Sequence, residues 1–155
     1  MRVHTLERET LISLPLRETF AFFEDPHNLA KLTPPRLDFR VVSPDAIEMR
    51  RGAEINYVIR WLGVPLKWKT VITDYNPPHS FVDTQVSGPY RLWRHLHTFT
   101  EVHGNTRVRD HVTYALPFWW FGEAAHSLTV RKQLNDIFDF RQRALAEILG
   151  VVTAK

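Results

Sequence analysis

Apolar and polar residues alternate with a period of two through most of this chain, and the spacing turns helical at only a few places. Residues 3–14 alternate as an edge strand does, and Pro15 ends the run. Leu16, Phe20 and Phe23 then recur at helical spacing, which predicts a short helix closed by Asp25 and Pro26. A second short helix is expected over 27–32. It stops at Thr33, Pro34 and Pro35, because a residue before proline is pushed out of the helical region. From Leu37 the two-residue period returns, predicting strands over 37–42, 53–62, 65–75, 79–86, 91–102 and 106–116. Turn residues mark the breaks: Gly52, Gly63, Asn76-Pro77-Pro78, Ser87-Gly88-Pro89 and His103-Gly104-Asn105. Connections this short imply an antiparallel meander, since parallel pairing needs long crossovers.

The last element is the most regular. Val130, Leu134, Ile137, Phe138, Leu145 and Ile148 fall on one helical stripe, predicting a helix over 123–149 stopped by Gly150. At 1.5 Å per residue it spans roughly 40 Å, enough to cross a curved sheet. The expected architecture is therefore α+β. One domain, 1–155, holds about seven antiparallel strands, with two short helices after strand one and a long C-terminal helix. A sheet curled around one helix leaves a wedge that side chains fill or a ligand occupies.

Composition narrows the chemistry. The chain has no cysteine, which excludes disulfides, thiol nucleophiles and thiolate metal sites. No stretch approaches the roughly 18 apolar residues of a membrane span, and residues 1–14 lack a secretory pattern, so a cytoplasmic protein without stable membrane insertion is expected. Net charge is +3, but the basic residues are spread from Arg2 to Lys155 among acids, not gathered on one face, which argues against nucleic acid as a partner. Ten Phe, five Trp and four Tyr supply enough flat side chains to wall a pocket or fill a core.

Strand alternation places Trp93, His95, His97 and Phe99 on one face, and Val108, Asp110, Val112, Tyr114 and Leu116 on one face of the next strand. The preceding strand offers Phe81, Asp83 and Gln85, and Arg141 lies on the helical stripe one turn from Ile137 and Leu145. Four runs carry a family resemblance: WKTVITDYNPPHSF (68–81), GPYRLWRHLHTF (88–99), RDHVTYALP (109–117) and IFDFR (137–141). With them the chain resembles the START-like superfamily, also called SRPBCC or Bet v 1-like, and within it small bacterial ligand-binding or polyketide cyclase/dehydrase-like members. The resemblance implies a helix-grip fold whose internal cavity, between sheet and C-terminal helix, holds a small hydrophobic, lipid-like or aromatic molecule. It implies no cofactor and no metal.

In that pattern Phe99 points to the helix, which turns His95 and His97 inward as well. The expected ligand-binding residues are Trp68, Asp83, Gln85, Trp93, His95, His97, Asp110, Tyr114, Phe118, Trp119, Leu134, Phe138 and Arg141. The polar members orient a ligand's carbonyl, hydroxyl or carboxylate, or form a paired structural network through Asp110 with Arg141 or His97. Two alternatives stay open. One is a cyclase- or dehydratase-type enzyme using His97, Asp110 and Tyr114, since a buried His beside Asp has a tunable proton affinity. The other is an interaction module, with a homodimer among its forms, built on the aromatic turn 117–122, in which Phe118, Trp119, Trp120 and Phe121 cannot all face one core. His95 and His97, at i and i+2, share a face and would make a metal site only with a third ligand such as Asp83 or Asp110.

Overall fold

The computed structural model describes residues 2–43, 46–61, 63–117 and 129–152. Strand β1 (His4–Ile12) leads into helix α1 (Leu16–Glu24), and two 3-10 turns follow at Pro26–Leu32 and Pro35–Leu37. Six further strands come next: β2 (Arg40–Val41), β3 (Glu54–Trp61), β4 (Val64–Asn76), β5 (Ser80–Ser87), β6 (Leu92–Val102) and β7 (Asn105–Ala115). Helix α2 (Arg131–Ile148) closes the chain. The strands form one antiparallel sheet in the order β1-β7-β6-β5-β4-β3-β2. Every neighbouring pair except β1–β7 is consecutive in sequence, so the meander expected from the short turns is the observed topology.

Local chemistry explains where elements start and stop. The β6–β7 hairpin turns on His103 and Gly104, at φ 49° and 81°, and the left-handed pair matches the twist of the flanking strands. The second short helix expected over 27–32 is present as a 3-10 helix, Pro26–Leu32: Pro26 starts it, and Pro34 and Pro35 leave no room for a further turn. Strand β2 is shorter than the alternation over 37–42 suggested. Leu37 belongs to the second 3-10 turn, and Asp38 takes a left-handed φ of 43°, so pairing begins only at Arg40. Within β4, register shifts at Lys69/Thr70 and Ile72/Asp74 bend the strand and curl the sheet.

The concave face carries the core. Phe99, Val108 and Val112 from β6 and β7 are buried against Leu134, Phe138 and Leu145 of α2. Burying each such side chain contributes roughly 1.5–3 kcal/mol. The described part of α2 spans about 27 Å at the α-helical rise of 1.5 Å per residue. The aromatic turn around Phe118 and Trp119, and the expected start of that helix, lie outside the described residues.

Candidate functional site

Three neighbouring strands bring four titratable side chains together. Register places Asp83 of β5 opposite His95 of β6, and Asp110 of β7 opposite His97. The hydrogen bonds run along the diagonals instead. The Nε2 of His97 lies 2.6 Å from Asp83 Oδ2, and the Nε2 of His95 lies 2.8 Å from Asp110 Oδ1. An ionised carboxylate only accepts, so both Nε2 atoms are assigned as the donors. The two imidazoles therefore point in opposite directions while stacked face to face, with ring centroids 3.7 Å apart. Phe81 stacks on the far side of His97 at 4.2 Å.

Helix α2 completes the cluster. Arg141 follows Phe138 by three residues and precedes Leu145 by four, so the apolar stripe carries a guanidinium into the interior. Its Nη2 is 3.4 Å from Asp110 Oδ1, and its carbon centre lies 5.4 Å from the Phe23 ring and 5.9 Å from that of Phe138. Burial pushes the Asp110 carboxyl up, but the Arg141 guanidinium and the hydrogen bond from His95 reverse this and hold it well below the usual range. Asp83 follows the same logic: burial raises it, and the His97 hydrogen bond, with the neighbouring imidazoles and Arg141, brings it below its ordinary value. Burial, and then the adjacent His95 ring, push His97 down to about 4 against the upward pull of Asp83, so His97 is neutral near pH 7.

A cavity of about 150 Å³ opens beside this cluster. Its wall is mostly apolar, from Phe22 and Phe23 of α1, Leu29 and Leu32 of the first 3-10 turn, and Ile55 and Tyr57 of β3. Asp83, His95, His97 and Arg141 line one side, joined by Trp93 and Phe138. Asp110 stands behind the histidines and reaches the cavity only through the groups it holds.

Four other expected residues lie away from the cavity, because aromatic packing fills that end of the wedge. The Tyr114 ring packs against His4, Tyr90 and Trp93. Trp68 is wedged among Tyr57, Tyr90 and Trp93. Gln85 braces the turn to β6, donating to the Tyr90 carbonyl at 2.6 Å and accepting from its amide at 3.1 Å. Leu134 is buried in the core without lining the cavity. Phe118 and Trp119 fall outside the described residues. The wall residues from α1, the 3-10 turn and β3 were missed from sequence; the adjacent Phe22-Phe23 pair, which one helical stripe cannot hold, was the available signal.

Asp83, His95 and His97 place three donor atoms within 4.8 Å of one another, which raises the question of a metal. The orientation suits hydrogen bonding better. The rings are only 22° from parallel, so their in-plane lone pairs run side by side and do not converge on one point about 2.1 Å from each nitrogen. One imidazole would have to turn out of the stack before an ion could be held.

The family profile described as polyketide cyclase/dehydrase and lipid transport matches residues 12–140. The chain belongs to this family. Solved structures agree on the fold. Protein Ms6760 from Mycobacterium smegmatis superposes with a TM-score of 0.70 at 20% identity, covering 100% of this chain and 98% of that one. TTHA0849 from Thermus thermophilus gives 0.70 at 18% identity over 93% and 95% of the two chains. The major latex-like protein 151 of Panax ginseng gives 0.67 at 13% identity over 94% and 96%. No curated protein matches the chain by sequence. The family and these neighbours place it in the START-like superfamily, and a seven-stranded curved sheet with a C-terminal helix is the helix-grip fold. Among the described residues no helix is long and apolar enough to cross a membrane.

Proposed function

We propose that the protein binds a small, largely apolar molecule inside the sheet–helix cavity. The observation that carries this reading is the cavity itself. A well-packed core leaves few voids larger than a water molecule, whereas this one measures about 150 Å³ and is walled by Phe, Leu, Ile and Tyr. A cavity of that volume has room for a single aromatic ring, so the guest is one ring or a short chain, or the end of a longer molecule reaching in through the mouth. The polar side fixes its orientation.

The chemistry of that side supports binding over catalysis. A general base works best with a proton affinity near the working pH. Asp83 is held below the ordinary carboxylate range and His97 near 4, which makes both weak bases at neutrality. Tyr114, the third residue of the enzymatic alternative, does not line the cavity.

The test is a thermal-shift series with toluene, indole and octanol on the wild-type chain and on Leu29→Trp, whose larger ring occupies the cavity from its half-buried side. A guest that binds only the folded state raises the melting temperature, and the shift should vanish in Leu29→Trp while the unliganded melting temperature changes little. No shift with any guest in the wild-type chain would sink the reading.

A further inference from the structure

We propose that the guest carries a hydrogen-bond donor at one end, best a protonated amine on a single-ring body, and that an acid of the same shape is rejected. The inference rests on the cavity being a ligand site and names the chemistry that site selects. It starts from a charge count. Glu24, Asp25 and Asp83 line the cavity, whereas Arg141 is the one Arg or Lys among the described lining residues. That guanidinium meets Asp110, behind the wall, through Nη2 at 3.4 Å, so its charge is offset by a carboxylate, although its Nε is buried without a hydrogen bond. The surface a guest meets is therefore acidic, inside a chain whose net charge is +3. The sign is a property of the cavity and is not inherited from the composition.

Placement sharpens the count. His97 occupies Asp83 Oδ2, and among the described residues no hydrogen bond reaches Oδ1. An ionised carboxylate oxygen left open on a cavity wall is an acceptor waiting for a donor. His97 and His95 both spend their Nε2 protons on carboxylates, so neither offers that donor to an incoming acid. Phe22, Phe23, Phe39 and Tyr57 also line the cavity, and the π-cloud of an aromatic ring attracts a cation and gains nothing from an anion. The mouth repeats the polarity. Glu24 is held by the Tyr75 hydroxyl at 2.6 Å, and Asp25 by the His27 amide at 3.0 Å, so both carboxylates stay in place at the entrance.

Benzylamine, benzyl alcohol, benzoate and toluene share nearly one body and differ in the end group, and ligand-observed NMR at pH 7 ranks them on the full chain. Benzylamine should bind tightest and exceed benzoate by at least about tenfold, which corresponds to only 1.4 kcal/mol of charge complementarity. Asp83→Asn keeps an acceptor for His97 but removes the charge. It should narrow the amine-over-acid gap several-fold and leave toluene unchanged, which also shows that the variant folds. If toluene binds and benzoate equals or exceeds benzylamine, the donor preference is overturned while the cavity reading stands. If none of the four binds, both are overturned together.

Discussion

His97 sits between two rings, Phe81 at 4.2 Å and His95 at 3.7 Å, with one nitrogen hydrogen-bonded to a carboxylate and the other buried without a hydrogen bond, 3.6 Å from Asp110 Oδ1. Removing an imidazole from water disfavours its charged form, and here that effect outweighs the pull of Asp83. The consequence is a defined pH dependence. The folded value, about 4, lies below the unfolded value of 6.5, so the unfolded chain binds the proton first as pH falls. The stability linked to His97 is complete above about pH 6.5 and is lost on the way to pH 4, on the order of 3 kcal/mol at most by linkage. Urea unfolding at intervals from pH 7.5 to 4 should show that fall. His97→Gln, which still donates to Asp83 but cannot titrate, should flatten it. An unchanged slope in the variant would mean that another group carries the loss. Asp83 and Asp110, both depressed, stabilise above the unfolded carboxylate value near 3.8 and lose that contribution at still lower pH.

At the scale of elements, the site depends on the β6–β7 hairpin, whose register sets His97 against Asp110 and His95 against Val112. Its two-residue turn fixes that register, because one residue of slip would send the inward row to the outer face. Gly104 holds φ 81°, and a Cβ there would meet no atom within 4 Å, so a substitution acts through backbone conformation alone. Gly104→Ala should cost about 1 kcal/mol, seen as a drop of roughly 2–4 °C in melting temperature. Gly104→Asn should recover part of it, since Asn tolerates the left-handed region. Equal melting temperatures for Ala and wild type would mean that the turn relaxes without strain. Helix α2 contributes on the other side of the site, and its 3.6-residue period is the reason Phe138 and Arg141 arrive together.

For the molecule as a whole, the cavity exists because the wedge between sheet and helix is filled unevenly. Tyr57, Trp68, Tyr90, Trp93 and Tyr114 pack ring against ring at one end, while the end beside α1 and the 3-10 turn keeps about 150 Å³. Phe138 forms part of the remaining wall and lies 5.8 Å from the His95 ring. Phe138→Ala should therefore destabilise by about 3–5 kcal/mol and enlarge the cavity. Saturating naphthalene should then raise the melting temperature of the variant more than that of the wild type. If naphthalene acts equally on both, the space vacated by Phe138 is not continuous with the cavity.

The strands, their antiparallel order and the apolar stripe of α2 were legible in the sequence, because periods of 2 and 3.6 residues are local consequences of backbone geometry. The same alternation put Asp83, His95, His97 and Asp110 on the inner face, and helical spacing added Arg141. Sequence did not show that the hydrogen bonds cross on the diagonals, since that depends on side-chain rotation after the strands have paired. Nor did it place the cavity. Tyr114, Trp68 and Gln85 share the inward pattern with the wall residues, and only three-dimensional packing decides which inward side chains touch one another and which face open space. Leu29 and Leu32 reach the wall from a proline-punctuated stretch whose path no periodicity describes. Local repetition determined the elements and their faces, and the packing of large rings in one wedge decided where a guest has room.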